Sequence, residues 1–384
     1  MTRGFGGVGN VVCVITLDGV SKHYGSSDAA VRELSLDIEA GELCVLVGPS
    51  GCGKTTTLRM INRLIEPSAG RILVNGNDVL AMDPVLLRRG IGYVIQQGGL
   101  FPHRRIADNV AVVPRLLGWE RARVDDRVHE LLTMVGIDPD RYARRFPHEL
   151  SGGERQRVGV ARALGGDPPV LLMDEPFGAV DPVTRSRLQQ QFLGLQRELR
   201  KTVVLVTHDI EEAATLGDRI AVLSKGGVLE QYDTPAEILG RPRSPFVADF
   251  VGADRGVRRL AVMPIEREDL FRPPVVDPDA SMLDARTEAA GADSHWAVAV
   301  DGDGVLRGWV DLDPANTGPV ADHLRPFDVE LPLGMSLRSA LSEMLLHDVS
   351  WIPVAEDGRY LGVLTPDRLH AAMRRSVGGQ AEPI

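Results

Sequence analysis

Three features are missing from this 384-residue chain: cysteine in quantity, a long apolar run, and any run of basic residues. The three cysteines, Cys13, Cys44 and Cys52, have no metal-ligand spacing and cannot all pair, so free, reduced thiols are expected. No stretch of about 18 uncharged apolar residues occurs, so the chain itself should not span a bilayer, and a membrane role would need a partner. The opening MTRGFGGVGNVVCV carries one positive charge and a short apolar stretch broken by glycine, which argues against a secretory signal; residues 1–13 are expected to be a disordered tail. Charge is unevenly shared. From Val257 onward there are 21 acidic and 12 basic residues, leaving 32 against 31 before it. A nearly neutral first part and an acidic second part argue against a nucleic-acid partner and against direct capture of anionic lipid. What is present is globular: 43% hydrophobic and 25% charged residues, which at this length predict two or three units with a substantial core.

From residue 14 to about 240, short β-rich runs (ELCVLVG, PVLLMDE, TVVLVTH) alternate with helical stretches, the pattern of an α/β layer with helices on both faces. Residues 104–166, with NVAVVPRLLGW and RARVDDRVHELLTMVG, have helical spacing and no strong strand, and read as an inserted helical subdomain. Residues 241–256 (RPRSPFVADFVGADRG) are rich in proline, glycine and charge and read as a connector. Beyond it, VAVDGDGVLRGWVD and IPVAEDGRYLGVLT share a hairpin plan, Gly304 and Gly308 answering Gly358 and Gly362 at a spacing of 54 residues. Two repeats, 257–314 and 322–378 before a tail of 379–384, should pair into one α/β module.

Three segments carry the chemistry. In GPSGCGKT (residues 48–55), Gly48, Gly51 and Gly53, with Pro49, Ser50 and Cys52 between them, let backbone amides point at phosphate oxygens, and the following helix adds its positive end. Lys54 would reach the β- and γ-phosphates as a point charge, Thr55 would ligate Mg²⁺, and Thr56 would bond the α-phosphate. In LLMDE, Asp174 ends a buried strand where it can hold Mg²⁺ through water, and Glu175 can polarise the attacking water as general base. The third segment, LSGGERQ (residues 150–156), follows the loop by about 95 residues and precedes the acidic strand.

In this order the segments resemble the ATP-binding cassette (ABC) ATPases. The resemblance implies a P-loop ABC domain over residues 14–240 with ATP and Mg²⁺ as ligands. It implies that His208 of VLVTHDI contacts the γ-phosphate, that Tyr24 of SKHYG stacks on adenine, and that Gln96, with Gln97 beside it as the alternative, joins Mg²⁺ and water to the helical subdomain. It implies further that Ser151, Gly152, Gly153 and Glu154 face the γ-phosphate of a second copy, with Asp181 linking the two sites. Glu154 stands where glutamine is commoner, a substitution seen in importer ATPases.

IGYVIQQGGLFPH and the repeats at the end are similar to the importers of glycine betaine, carnitine, choline and related quaternary amines. The implied machine has Leu100, Phe101 and Pro102 receiving a separate transmembrane permease at the cytoplasmic face of the membrane, fed by an extracytoplasmic solute-binding protein. The repeats resemble a tandem CBS pair. Their usual ribose pattern, G-x-x-T-x-x-D, is met by Gly362 and Thr365 but has Arg368 at the acidic position; the first repeat has Asp311 and Pro314 for threonine and aspartate. Cyclic di-AMP or another nucleotide in the module, a ligand at a dimer cleft, and dimer support alone stay open. One alternative is the same machine importing another betaine-like or an unrelated solute; two readings of other classes are a soluble ABC factor of translation or repair, disfavoured by the single cassette, and a CBS ligand sensor using ATP as structural glue, disfavoured by Gln96, Glu175 and His208 together.

Overall fold

The computed structural model describes residues 13–25, 29–95, 99–178, 180–291 and 294–375. They fall into two units, residues 1–238 with 242–252, and residues 239–241 with 253–384. The positions of Gln96 and Gln97, the tail 1–12 and residues 376–384 lie outside the described residues.

The first unit is built on a six-stranded sheet in the order Val228–Asp233, Arg219–Ser224, Leu43–Val47, Thr202–Val206, Val170–Asp174, Ile91–Val94. Its central strands are the uninterrupted apolar runs LCVLV, TVVLV and VLLMD, paired in parallel. Strands buried on both faces read this way because neither face has a solvent side to fill with polar residues. A second, antiparallel sheet (Cys13–Lys22, Val31–Glu39, Ala69–Val74, Asn77–Asp78) alternates instead: Val31, Leu34, Leu36 and Ile38 point inward and join Leu46, Leu58 and Val204 in one apolar core.

Between Ile91–Val94 and Val170–Asp174 the described chain holds helices and no strand: Ile106–Val110, Val112–Leu116, Arg121–Met134, Pro139–Tyr142 and Gly152–Ala163. On Arg121–Met134 the buried residues Val124, Val128, Leu131 and Leu132 recur at helical spacing, a stripe that packs inward while the charged face stays wet. The stretch read as a connector is more ordered than its composition suggested. Ser244 caps a helix, Pro245–Val251, with proline at its first turn, and Val247 and Val251 are fully buried.

The second unit contains two three-stranded sheets of one plan, each a parallel pair followed by an antiparallel hairpin: Val275–Val276, Trp296–Val300, Leu306–Asp311, and Leu331–Pro332, Ile352–Glu356, Arg359–Leu364. Helices Met282–Ala289 and Leu337–Leu346 make the parallel crossovers. The repeats differ in two respects. The second hairpin leads into the helix Pro366–Arg375, whereas the first, interrupted by Pro314, Gly318 and Pro319, continues only into the 3₁₀ turn Val320–His323. Also, Leu260, Met263, Ile265 and Leu270, read from sequence as the start of the first repeat, lie in the core of the second with Leu337, Ile352 and Leu364. Paired backbone bonds between Phe271 and Val363 (2.8 and 2.9 Å) hold that segment there.

Candidate nucleotide site

The loop after strand Leu43–Val47 has a shape that glycine alone permits. At Gly48 (φ 151°) a Cβ would come within 2.1 Å of the Leu223 carbonyl oxygen, and at Gly53 (φ 110°) within 2.5 Å of that of Ala30. Pro49, Ser50 and Gly51 are exposed at its crest, while Cys52 is buried beneath it. Lys54 opens the helix Lys54–Ile61 and is only 6% exposed. Its ammonium donates to the carbonyls of Gly48 (2.7 Å) and Pro49 (3.0 Å), which hold a cation in the concavity of the loop. Thr56 follows, half-buried.

Parallel register brings the remaining groups together. The Thr55 hydroxyl donates to Asp174 Oδ1 at 2.9 Å, joining the helix to the end of strand Val170–Asp174. Asp174 pairs across the sheet with Val206, so the residues that follow, Glu175 and His208, emerge side by side at the carboxyl ends of the strands. His208 Nδ1 lies 3.3 Å from Glu175 Oε1. Glu175 sits in the left-handed region (φ 44°), its N–H bonded to the Val206 carbonyl, a conformation of the kind that concentrates at working sites. Burial pushes the Asp174 carboxyl above its ordinary range and the Glu175 charge adds to this, against the Thr55 hydrogen bond and the nearby Arg59 and Lys54. A carboxylate so placed favours a bound cation. Among the described residues no group of three His, Cys, Asp or Glu side chains is arranged to hold a metal ion by itself, so a cation beside Thr55 and Asp174 would draw on the ligand's own oxygens. Tyr24 is half-exposed beyond strand Cys13–Lys22, with the Lys22 ammonium 5.3 Å from its ring.

The LSGGERQ segment forms a helix tip. Ser151 caps Gly152–Ala163: its hydroxyl accepts from the Glu154 N–H (3.3 Å) and Glu154 Oε2 accepts from the Ser151 N–H (2.7 Å). This reciprocal box explains why a glutamate suits that position. Desolvation pushes the Glu154 carboxyl up, but the hydrogen bonds from Ser151 and Tyr142 prevail and hold it below the usual value. Ser151 and Gly152 are exposed; Gly153 is buried, where a Cβ would lie 3.0 Å from Thr184 Cγ2. Asp181 caps the next long helix, Pro182–Leu199, accepting from the Thr184 N–H (3.0 Å), which holds its carboxyl below the usual range.

In the loop read as the docking surface, Leu100 is half-buried, and Phe101 and Pro102 are exposed. Sequence reasoning missed the residue that shapes it. Asn109 is fully buried; its Oδ1 accepts from the Phe101 N–H (2.7 Å), and its Nδ2 faces the carbonyls of Phe101, Arg104 and Arg105 at 3.0 to 3.2 Å. A polar residue between the apolar Ile106 and Val110 was the available signal. The Arg162 guanidinium donates to the Gly99 carbonyl.

The family model described as ABC transporter matches residues 31–178, and the one described as CBS domain matches residues 323–375. The chain is 47% identical to the osmoprotectant import ATP-binding protein OsmV of Salmonella typhimurium, over 92% of this chain and 94% of that protein. It is 43% identical to the glycine betaine/carnitine/choline transport ATP-binding protein OpuCA of Bacillus subtilis, over 96% and 98%. A dimeric ATP-binding cassette solved in a post-hydrolysis state with ADP and Pi superposes with a TM-score of 0.51 at 35% identity, covering 58% of this chain and 98% of that one. The expected fold class, a P-loop α/β domain followed by a CBS module, is therefore correct. With that likeness running along nearly its whole length and the glycine loop, acidic strand end and LSGGERQ helix all in place, the chain belongs to the ABC transporter ATPases, in the group of osmoprotectant and quaternary-amine ATP-binding subunits.

Proposed function

We propose that two copies of this chain clamp two ATP molecules head to tail and use their hydrolysis to drive uptake of a quaternary-amine osmoprotectant through a separate permease. The observation that carries this is the pairing of Glu175 with His208 beside the Thr55–Asp174 contact, in a chain that aligns along 92% of its length with an osmoprotectant import ATP-binding protein. On this reading the loop amides and Lys54 hold the β- and γ-phosphates, Thr56 the α-phosphate, and Tyr24 the adenine. Glu175 takes the proton of the attacking water, and His208, 3.3 Å away, orients it against the γ-phosphate. Thr55, Asp174 and Gln96 would hold Mg²⁺, which neutralises phosphate charge when bound. The exposed tip at Ser151 and Gly152, with Gly153 behind it, serves the partner copy's nucleotide, and Asp181 lies between the two sites.

No helix of the described residues is long and apolar enough to cross a membrane, in keeping with a peripheral subunit docked to a permease through Leu100, Phe101 and Pro102 at the cytoplasmic face. A solute-binding protein outside the membrane would choose the solute. In the second repeat, Thr365 accepts the Arg368 N–H (3.3 Å). An exposed arginine there suits a phosphate of a cyclic dinucleotide better than a ribose hydroxyl.

The test is reconstitution with the permease and binding protein in liposomes, following labelled glycine betaine, choline and carnitine together with phosphate release. Uptake coupled to ATP turnover is expected. A turnover rate indifferent to permease and solute, with no uptake, overturns the reading.

A further inference from the structure

The chain has four tryptophans, and three of them meet in the second unit. Trp296 and Trp351 stack at 4.0 Å with 12° between their planes. Trp309 and Phe327 both stand nearly perpendicular to Trp351, at 82° and 81°, with centroids 5.8 and 5.4 Å from it. Trp309, Phe327 and Trp351, but not Trp296, line a cavity of about 210 Å³ together with Val329 and Pro353, with the exposed carboxylate Asp328 among them. At about 30 Å³ of liquid volume per water, this is room for a small organic molecule. Gly362, Thr365 and Arg368, the residues of the nucleotide-type pattern, do not line it.

Edge-to-face contacts alone are ordinary core packing between two repeats, and packing needs no cavity and no carboxylate beside it. Perpendicular aromatic faces around a space attract a cation through their quadrupoles, most strongly one that is weakly hydrated. One of these faces is already used this way: the exposed Arg325 guanidinium lies 4.8 Å from the Trp309 ring. The acidic excess of the chain from Val257 onward biases the surroundings toward cations as well.

We propose that this cavity is a binding site for a small quaternary ammonium solute, with Trp351 as floor, Trp309 and Phe327 as walls and Asp328 beside the positive charge. The choice of ligand rests on the transport reading above, and it gives the second unit a way to sense the accumulated solute inside the cell. An ammonium ion or alkali cation, strongly hydrated, is excluded because the apolar walls cannot replace its water.

Tryptophan fluorescence of the full chain reads the site directly, since only Trp119 lies elsewhere. Titration with tetramethylammonium, then with choline and glycine betaine, at constant ionic strength should give a saturable change. Sodium and the neutral isostere 3,3-dimethylbutan-1-ol should not give it. Trp309→Ala should weaken binding at least tenfold and Asp328→Asn several-fold, with ATP binding unchanged. If Trp309→Ala fails to fold, the exposed Asp328→Asn and the isostere comparison still decide. No saturable change, an equal response to the isostere, or full binding in Asp328→Asn and Trp309→Ala overturns the site. Because the titration needs no permease, a chain that binds tetramethylammonium yet moves no quaternary amine in liposomes refutes the transport reading alone; transport without binding refutes the site alone.

Discussion

His208 Nδ1 lies 3.3 Å from Glu175 Oε1 because the strands that end at Asp174 and Val206 run parallel and in register. Neither residue is near the other in sequence, and neither is held by its own loop alone. On the proposed roles, Glu175→Gln keeps the shape and removes the base. Phosphate release should fall by at least about 100-fold, while ATP binding measured by fluorescent analogue stays within a few-fold. His208→Ala should also lose turnover without losing binding.

Ser151 serves its own helix and, as proposed, a partner's nucleotide, and the two roles separate experimentally. Ser151→Ala removes the cap and should cost about 1 kcal/mol of stability; Ser151→Asn retains a capping oxygen and should restore it. In a Glu175→Gln background, ATP-induced dimers seen by light scattering should be lost in both variants. Dimers persisting in Ser151→Ala would show that the helix tip does not reach across.

Asn109 organises the loop of residues 101–105 through both ends of its amide. Asn109→Ala leaves part-buried backbone groups of the loop without their side-chain partner, and at about 1 kcal/mol for each lost hydrogen bond the change should destabilise the unit by about 2 to 4 kcal/mol. The more telling readout is coupling. Basal ATPase of the isolated chain should persist, whereas stimulation by the permease should be lost; unchanged stimulation would detach this loop from docking.

Asp174 makes a prediction about pH. Burial raises its carboxyl above the ordinary range, so the folded protein keeps a proton that the unfolded chain has released. Below the unfolded value, about 3.9 for aspartate, both states are protonated and there is no penalty. As pH rises toward the raised folded value the penalty grows, and above that value it is complete. Nucleotide- and metal-free Asp174→Asn should therefore melt above the native protein near neutral pH, with the gap narrowing on acidification. A gap that widens on acidification would reverse the sign.

Much of the ATP site was legible because its chemistry is local. Glycine spacing dictates the loop at Gly48 and Gly53, and an apolar run ending in Asp-Glu dictates a buried strand with carboxylates at its tip. The illegible parts depend on distant neighbours. Val247 and Val251 looked like connector residues because a two-residue apolar signal is weak until a partner surface covers it. Residues 260–270 pack with the second repeat rather than the first because backbone pairing of Phe271 with Val363 outweighs proximity along the chain. The aromatic cluster was illegible for the same reason: Trp296 and Trp351 stand 55 residues apart, close to the repeat spacing, but nothing in that spacing reports that they stack or that Trp309 and Phe327 join them.

By itself, the order of residues determined the α/β architecture and the family and named the candidate reactive groups, since each follows from short-range pattern and covalent constraint. Tertiary structure alone decided which groups meet: Thr55 with Asp174, Glu175 with His208, Asn109 with its loop, and Trp309, Phe327 and Trp351 around one cavity. Such meetings are set by strand register and core packing, whose free energy is shared among many residues and is written at no single position.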